Sequence, residues 1–402
     1  MWQGQRAQCV RIKLFRGSKL MKHSVFWLCI VVPLFIIGLG SLAYYLLQNL
    51  QPVPASVPPA FVQPTIPVAG FPLPSSQTWT LLITGDVIPA RVVNQKMVTK
   101  NDFRWPLVNF YSILQNADIT LINLESPLLI NCPITNEGMQ FCGDARFAAS
   151  LAEVGVDVAN LANNHALNYG WEGLGETQEL LKKVGIVTTG FASTVIPTEV
   201  EESNSPTIQN LNALDPSTNA RDDFFHCERD IYCSSFIQKE VNGITIGFLG
   251  YNAVGQRVDR KIIQKQMSAA DKLVDVLIVS VHWGKEYSRE PAIDSIAVDD
   301  PQELGRLFVD WGADVVVGNH PHWYQHIEWV DNKPIFYALG NFIFDQEWSQ
   351  ETKVGYLAKL QFAGSEVVKN KLEIIPIGIK DYGQAFKLEG EEKDKVLEII
   401  VN

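Results

Sequence analysis

The sequence is short of basic charge: 33 Lys and Arg face 44 Asp and Glu, a formal net charge of −11. Nucleic-acid binding needs a basic face, so that class of partner is not expected. No repeat of fixed period is visible, which argues against a solenoid or propeller. None of the six cysteines stands in a CxxC pair, the spacing of many structural zinc sites. Histidine is sparse too, with seven in 402 residues. Hydrophobic residues make up 47% and charged residues 19%, which suits a globular body rather than a disordered chain.

What basic charge exists is unevenly placed. Residues 1–23 carry Arg6, Arg11, Lys13, Arg16, Lys19 and Lys22 and no acidic residue; removing these six charges from −11 leaves −17 for the rest. Val25 to Leu47 follows as an uncharged run of 23 residues, long enough to cross a bilayer as a helix. The basic flank predicts a cytoplasmic N-terminus and an extracytoplasmic main domain, a single-pass cell-membrane protein. A cleaved signal peptide is the rival reading, with Ser41-Leu42-Ala43 as its loose cleavage site; the length of the run favours a retained anchor. Residues 48–77 hold eight prolines, the composition of an extended spacer. The expected organisation is a basic tail (1–24), an anchor (25–47), a proline-rich linker (48–77) and a domain over 78–390, with a surface insertion at 194–232.

Cys132/Cys142 and Cys227/Cys233 form two close pairs in polar, loop-like stretches. Outside the cytoplasm such pairs close local disulfides; a zinc site is the alternative.

From residue 78 short apolar strands alternate with amphipathic segments. Strands are expected at 79–84, 118–122, 156–161, 186–189 and 274–281, with helices over 103–116, 147–153, 171–184 and 301–311. Asn242-Gly243 and Asp331-Asn332 read as hairpin turns. The pattern predicts an α/β domain with mixed sheets.

The chemistry collects at strand ends. Gly318-Asn319-His320-Pro321-His322 closes the apolar run Asp314–Val317 and can aim two imidazoles at one point. Gly85-Asp86, Asn123-Leu124-Glu125 and His282-Trp283-Gly284 end other strands, and Asn163-Asn164-His165 follows another. Ligands of open α/β sheets gather beyond the carboxyl ends of strands. Carboxylates, an amide and imidazoles converging there suit a pair of divalent ions, with a carboxylate bridging them. Each motif alone has a plainer structural reading: a capped turn, a polar loop or a core histidine. Together, in order, they point to a metal site.

That ordered set, with Glu286-Tyr287 after His282-Trp283-Gly284 and Leu339-Gly340-Asn341-Phe342 near the end, resembles the CapA-type poly-γ-glutamate capsule biosynthesis proteins of the calcineurin-like metallophosphatase superfamily. The resemblance covers about residues 78–380. It implies a four-layer αββα sandwich with two divalent ions (Mn, Zn or Fe) between its sheets. Carried over, Asp86 and His322 would hold one ion, Glu125 would bridge, and Asn164, His282 and His320 would hold the other. His165 would stand nearest the substrate as the acid, and Glu286 and Asn341 would orient ligands. A metal-dependent hydrolase acting on a phosphoester or envelope polymer is then expected, with capsule-synthesis proteins as possible partners. The alternative is a non-catalytic assembly or export factor for an anionic surface polymer. Three positions depart from the pattern: Ile88 stands where the wider superfamily has a histidine, Asn168 where the family commonly has Asp, and Asn319 where a small residue or histidine is usual.

Overall fold

A computed structural model of the chain describes residues 78–191 and 234–401. The expected tail, anchor and linker, the insertion at 194–232, and Cys227 and Cys233 lie outside the described residues. Among the described residues no helix is long and apolar enough to cross a membrane.

The chain runs through β1 (Thr78–Val87), α1 (Val92–Lys100), α2 (Tyr111–Gln115), β2 (Ile119–Leu124), β3 (Leu128–Leu129), β4 (Gly143–Asp144), α3 (Phe147–Glu153), β5 (Val158–Asn160), α4 (Gly170–Lys183) and β6 (Val187–Thr189). It continues through β7 (Ile237–Val241), β8 (Ile244–Asn252), α5 (Arg260–Ala270), β9 (Val276–His282), α6 (Pro301–Asp310), β10 (Val315–Asn319), β11 (Ile327–Val330) and β12 (Lys333–Phe336). The last elements are β13 (Asn341–Ile343), β14 (Val354–Ala363), β15 (Glu366–Val367), β16 (Glu373–Lys380), β17 (Gln384–Lys387) and α7 (Gly390–Val401).

Two mixed sheets carry the domain. The first has the order β17-β16-β14-β1-β2-β5-β6, with β13 added beside the end of β1; the second runs β11-β12-β10-β9-β8-β7. Strand alternation decides the layers, because successive side chains face opposite ways. Leu81 and Ile83 of β1 share a buried cluster with Ile278 of β9 and Val317 of β10, so the sheets pack face to face. Leu82 instead joins Leu174 and Leu181 of α4 on the outer face of the first sheet. Leu277, Val279 and Val281 meet Ile263 of α5 and Leu304 and Phe308 of α6 on the outer face of the second. The architecture is an α/β sandwich.

Local chemistry sets the element ends. Asp259 caps α5, accepting from Lys261 and Ile262 backbone N–H groups, and Asp300 caps α6 with Pro301 in its first turn. The turns at Asn242-Gly243 and Asp331-Asn332 join antiparallel pairs, β7 with β8 and β11 with β12. One expected helix is largely missing. Over 103–116 the chain makes a short 3₁₀ turn at Trp105–Leu107 and then α2, five residues long. Pro106 has no N–H to continue a longer helix, and Asn109 turns aside to donate to the Ala385 carbonyl at 2.7 Å.

Candidate metal centre

Six strand ends deliver the site. Asp86 lies near the end of β1, Glu125 directly after β2, His282 at the end of β9, and His320 and His322 just beyond β10. Asn164 and His165 follow β5, and Asn341 opens β13. Register aligns them: Asp86 pairs with Asn123 and with Asn341, while His282 pairs with Asn319. Asp86, Glu125, His282, His320, His322 and Asn341 are all buried.

Close packing of backbone makes this convergence possible. A Cβ on Gly318 would stand 2.2 Å from the Tyr337 carbonyl oxygen and 2.4 Å from Trp283 Nε1. Only glycine leaves room there for the indole, which donates to Tyr337 O at 2.8 Å. His320 and His322 then adopt φ of 98° and 57°, a region costly for side-chain-bearing residues and typical of functional sites. Tyr287 is also left-handed (φ 58°), and its N–H donates to the Pro321 carbonyl at 2.8 Å, fastening the loop after β9 to the histidine turn.

The side chains form two groups that share Glu125. Ligand atoms of Glu125, His282 and His320 lie within 4.8 Å of one another, as do those of Asp86, Glu125 and His322. In the first group His282 Nε2 faces Asn164 Oδ1 at 2.9 Å, His320 Nδ1 at 3.2 Å and Glu125 Oε1 at 3.4 Å. One N–H can serve one or two of these atoms but not all three, and Glu125 Oε1 has no hydrogen-bond partner. Converging lone pairs around an unsatisfied carboxylate oxygen are the donor arrangement a divalent cation requires. In the second group His322 Nδ1 faces Asn341 Oδ1 at 2.9 Å and Asp86 Oδ2 at 3.2 Å. Residue types and positions in both groups fit a pair of divalent ions.

Electrostatics tell the same story. Burial and the neighbouring Asp86 push the Glu125 carboxyl well above its ordinary range. Burial drives His282 down to about 3, and burial together with His282 holds His320 far below the usual imidazole range. Among the histidines of the site His322 alone goes up: burial opposes its charge, but Glu125 and Asp86 raise it to about 9. Buried carboxylates demand a cation, and without an ion His322 is the group that supplies one.

A ring of amides holds the carboxylates. Asn123 and Asn319 both donate to Asp86 Oδ1 at 2.9 Å, leaving Oδ2 to face the centre. Asn160 donates to Asn123 Oδ1 at 3.1 Å, and Asn163 to the Leu124 carbonyl at 2.9 Å. Sequence reading missed the role of Asn160 and treated Asn319 only as a departure. The available signal was an asparagine at or next to the end of three strands of the site: Asn123 in β2, Asn160 in β5 and Asn319 in β10. Glu286 lies half-buried in the loop after β9; its charge reaches Glu125 and His322 as a lesser influence.

His165 occupies one flank. Its ring stacks on Phe141 with centroids 4.2 Å apart, and its Nδ1 lies 3.1 Å from Asn168 Oδ1. The Phe141 backbone N–H donates to the same oxygen at 2.7 Å, which fixes that atom as the acceptor. Nδ1 therefore carries the imidazole proton, and Nε2 keeps a lone pair. Burial lowers His165 to about 4, with Asn168 opposing only partly. Position 168 is an amide, so no carboxylate there stabilises the charged form of the ring. Phe141 is delivered by a loop that the Cys132–Cys142 disulfide closes and that Arg91 ties down by donating to the Gly138 carbonyl at 3.2 Å. Ile88 is fully buried with Ala90, Phe141 and Phe344, forming an apolar wall where the superfamily pattern has an imidazole.

Residues 80–346 match the family described as bacterial capsule synthesis protein PGA_cap. The chain belongs to this family. Its relatives include the capsule biosynthesis protein CapA of Bacillus anthracis, 26% identical over 80% of this chain and 72% of that one. The PGA biosynthesis protein CapA of Bacillus subtilis (strain 168) is 26% identical over 74% of this chain and 70% of that one. A probable polyglutamine synthesis accessory protein of Mycobacterium tuberculosis is 24% identical over 74% of this chain and 76% of its own length. All the candidate ligand residues of this PGA_cap protein fall inside the matched span.

Proposed function

We propose that this PGA_cap protein is a membrane-anchored, extracytoplasmic, metal-dependent hydrolase acting on an anionic polymer or phosphoester of the cell envelope, built on a metallophosphatase-like αββα frame. The observation that carries the reading is Glu125: one buried carboxylate belongs to both ligand groups, as a bridge between two ions must. Names of relatives, which speak of capsule and PGA biosynthesis, supply the polymer class. The Cys132–Cys142 disulfide supports an oxidising compartment, and the basic flank before the apolar run Val25–Leu47 supports an anchor with the domain outside.

A pair of divalent ions supplies Lewis acidity and a water acidic enough to attack near neutral pH. The protein's own part is positional. Asp86, Glu125 and His322 define one position, and Glu125, Asn164, His282 and His320 the other. The amides of Asn123 and Asn319 stop Asp86 from rotating, and His165 Nε2 offers a lone pair at the flank of the centre.

The test is elemental analysis of the full-length protein together with hydrolysis of a panel of phosphodiesters and γ-glutamyl oligomers. Two equivalents of Mn, Zn or Fe are expected, with turnover abolished in His320→Ala. Full activity in metal-free protein would sink the proposal.

Ile88 and its apolar surroundings favour a second reading, a non-catalytic assembly factor that binds metal and polymer without turnover. Polymer production that survives His320→Ala combined with His322→Ala, yet is lost on deleting residues 25–47, would select it.

A further inference from the structure

The pattern of residues leaves the ion beside Asp86 one protein ligand short, because Ile88 carries no donor. Geometry fills the gap from an element that the strand pattern did not announce. The three-residue strand β13 lies parallel to the end of β1 with Asn341 directly opposite Asp86. The Asp86 N–H donates to the Gly340 carbonyl at 2.9 Å, and the Ile88 N–H to the Ile343 carbonyl at 2.7 Å. The same segment that buries Ile88 therefore lays Asn341 against the centre.

Orientation of the Asn341 amide is settled by its other end. Nδ2 donates to the Thr352 carbonyl at 2.9 Å and to Gln346 Oε1 at 3.3 Å, both acceptors. Oδ1 must then face the other way, and it stands 2.9 Å from His322 Nδ1. The side chain is fully buried, so no bulk water competes for that oxygen. A fixed amide oxygen 2.9 Å from His322 Nδ1, which itself lies 3.2 Å from Asp86 Oδ2, adds a fourth donor to the Asp86, Glu125 and His322 group.

We propose that Asn341 is a direct ligand of the first ion, an amide oxygen taking the place of the imidazole missing at Ile88. The inference rests on the two-ion reading and names a ligand within it. It also assigns the ion: three oxygen donors and one nitrogen favour a harder cation such as Mn²⁺ there, against the nitrogen-richer set of His282 and His320.

The experiment uses the full chain titrated with Mn²⁺ and with Co²⁺, reading stoichiometry by elemental analysis and coordination by the Co²⁺ visible spectrum. In Asn341→Ala the first ion should bind at least tenfold more weakly, with the second unchanged. Asn341→Asp separates liganding from scaffolding: it keeps an oxygen toward the ion but cannot donate to Thr352 and Gln346. As a ligand position it retains two ions; as a mere support it loses the first ion as the alanine variant does. Wild-type affinity in Asn341→Ala, or loss of the first ion in Asn341→Asp, overturns the inference. Failure of the wild-type protein to bind any ion overturns the two-ion reading instead.

Discussion

At the scale of single residues, the centre depends on which atoms are denied alternatives. Asp86 Oδ1 is occupied by two amides, and Asn168 Oδ1 by the Phe141 N–H, so the atoms facing the centre are selected by what lies behind them. His165 shows the consequence. Its folded-state value near 4 lies below the ordinary imidazole value of 6.5. The unfolded chain therefore binds a proton first as pH falls, and this residue withdraws stability from pH 6.5 down to about 4, then no further. The full loss is on the order of 3 kcal/mol. In metal-free protein, denaturant midpoints of wild type should fall more steeply through that window than those of His165→Gln. Parallel curves would mean the imidazole is already solvated. A tautomer prediction follows from the same contacts: in ¹⁵N-histidine spectra, the signal removed by His165→Gln should be that of the Nδ1–H form.

At the scale of elements, the approach of β13 to β1 and the disulfide-closed loop are the decisive contacts. A Cβ on Gly85 would meet the Gly340 carbonyl oxygen at 2.0 Å, a distance no side chain tolerates. Gly85→Ala should force β13 away, cost more than about 2 kcal/mol and weaken binding of the first ion before the second. Equal weakening of both ions would show that the two strands do not act as a local clamp. Cys132 and Cys142 enclose a short loop, ten residues apart in sequence. Loop-closure entropy for that length is about 2–3 kcal/mol, so the double variant Cys132→Ser/Cys142→Ser should unfold at lower denaturant by that amount. Because the loop carries Phe141, the His165 signal should also lose its single tautomer.

At the scale of the whole molecule, the two sheets act as a rigid frame around a point of high charge density. Trp79 stacks on Phe362 with centroids 4.0 Å apart, and Leu81, Ile83, Ile278 and Val317 fill the space between the sheets. The candidate ligands come from both sheets: Asp86 and Glu125 from the first, His282, His320 and His322 from the second. Ions bound between them should stabilise the domain as a whole, by about 2.7 kcal/mol at one hundred times the dissociation constant. A chelator should lower the thermal midpoint of wild type and leave that of His320→Ala combined with His322→Ala nearly unmoved. An unchanged wild-type midpoint would show that the ions do not link the sheets.

Much of this was legible in the residues alone. Short continuous apolar runs ending in Asp, Glu, Asn or His marked the strands of the site, since burial and polarity switch where a strand leaves the core. Asn242-Gly243 marked a hairpin for an equally local reason: only such residues take the turn's left-handed backbone. The acidic balance and the six ligand-type residues were likewise readable one position at a time. Other features were not. The helix expected over 103–116 shrank because Pro106 and the reach of Asn109 to Ala385 outweighed its apolar spacing. The strand β13 is too short to carry a periodic signal, yet its pairing with β1 sets Asn341 opposite Asp86. The tautomer of His165 depends on a backbone N–H from a loop 24 positions earlier in the chain, which fixes Asn168 Oδ1 as the acceptor. Sequence by itself determined which chemistry was present and at which strand ends. Tertiary structure alone decided which candidate ligand atoms converge and which histidine keeps its lone pair, because burial and long-range hydrogen bonds set those.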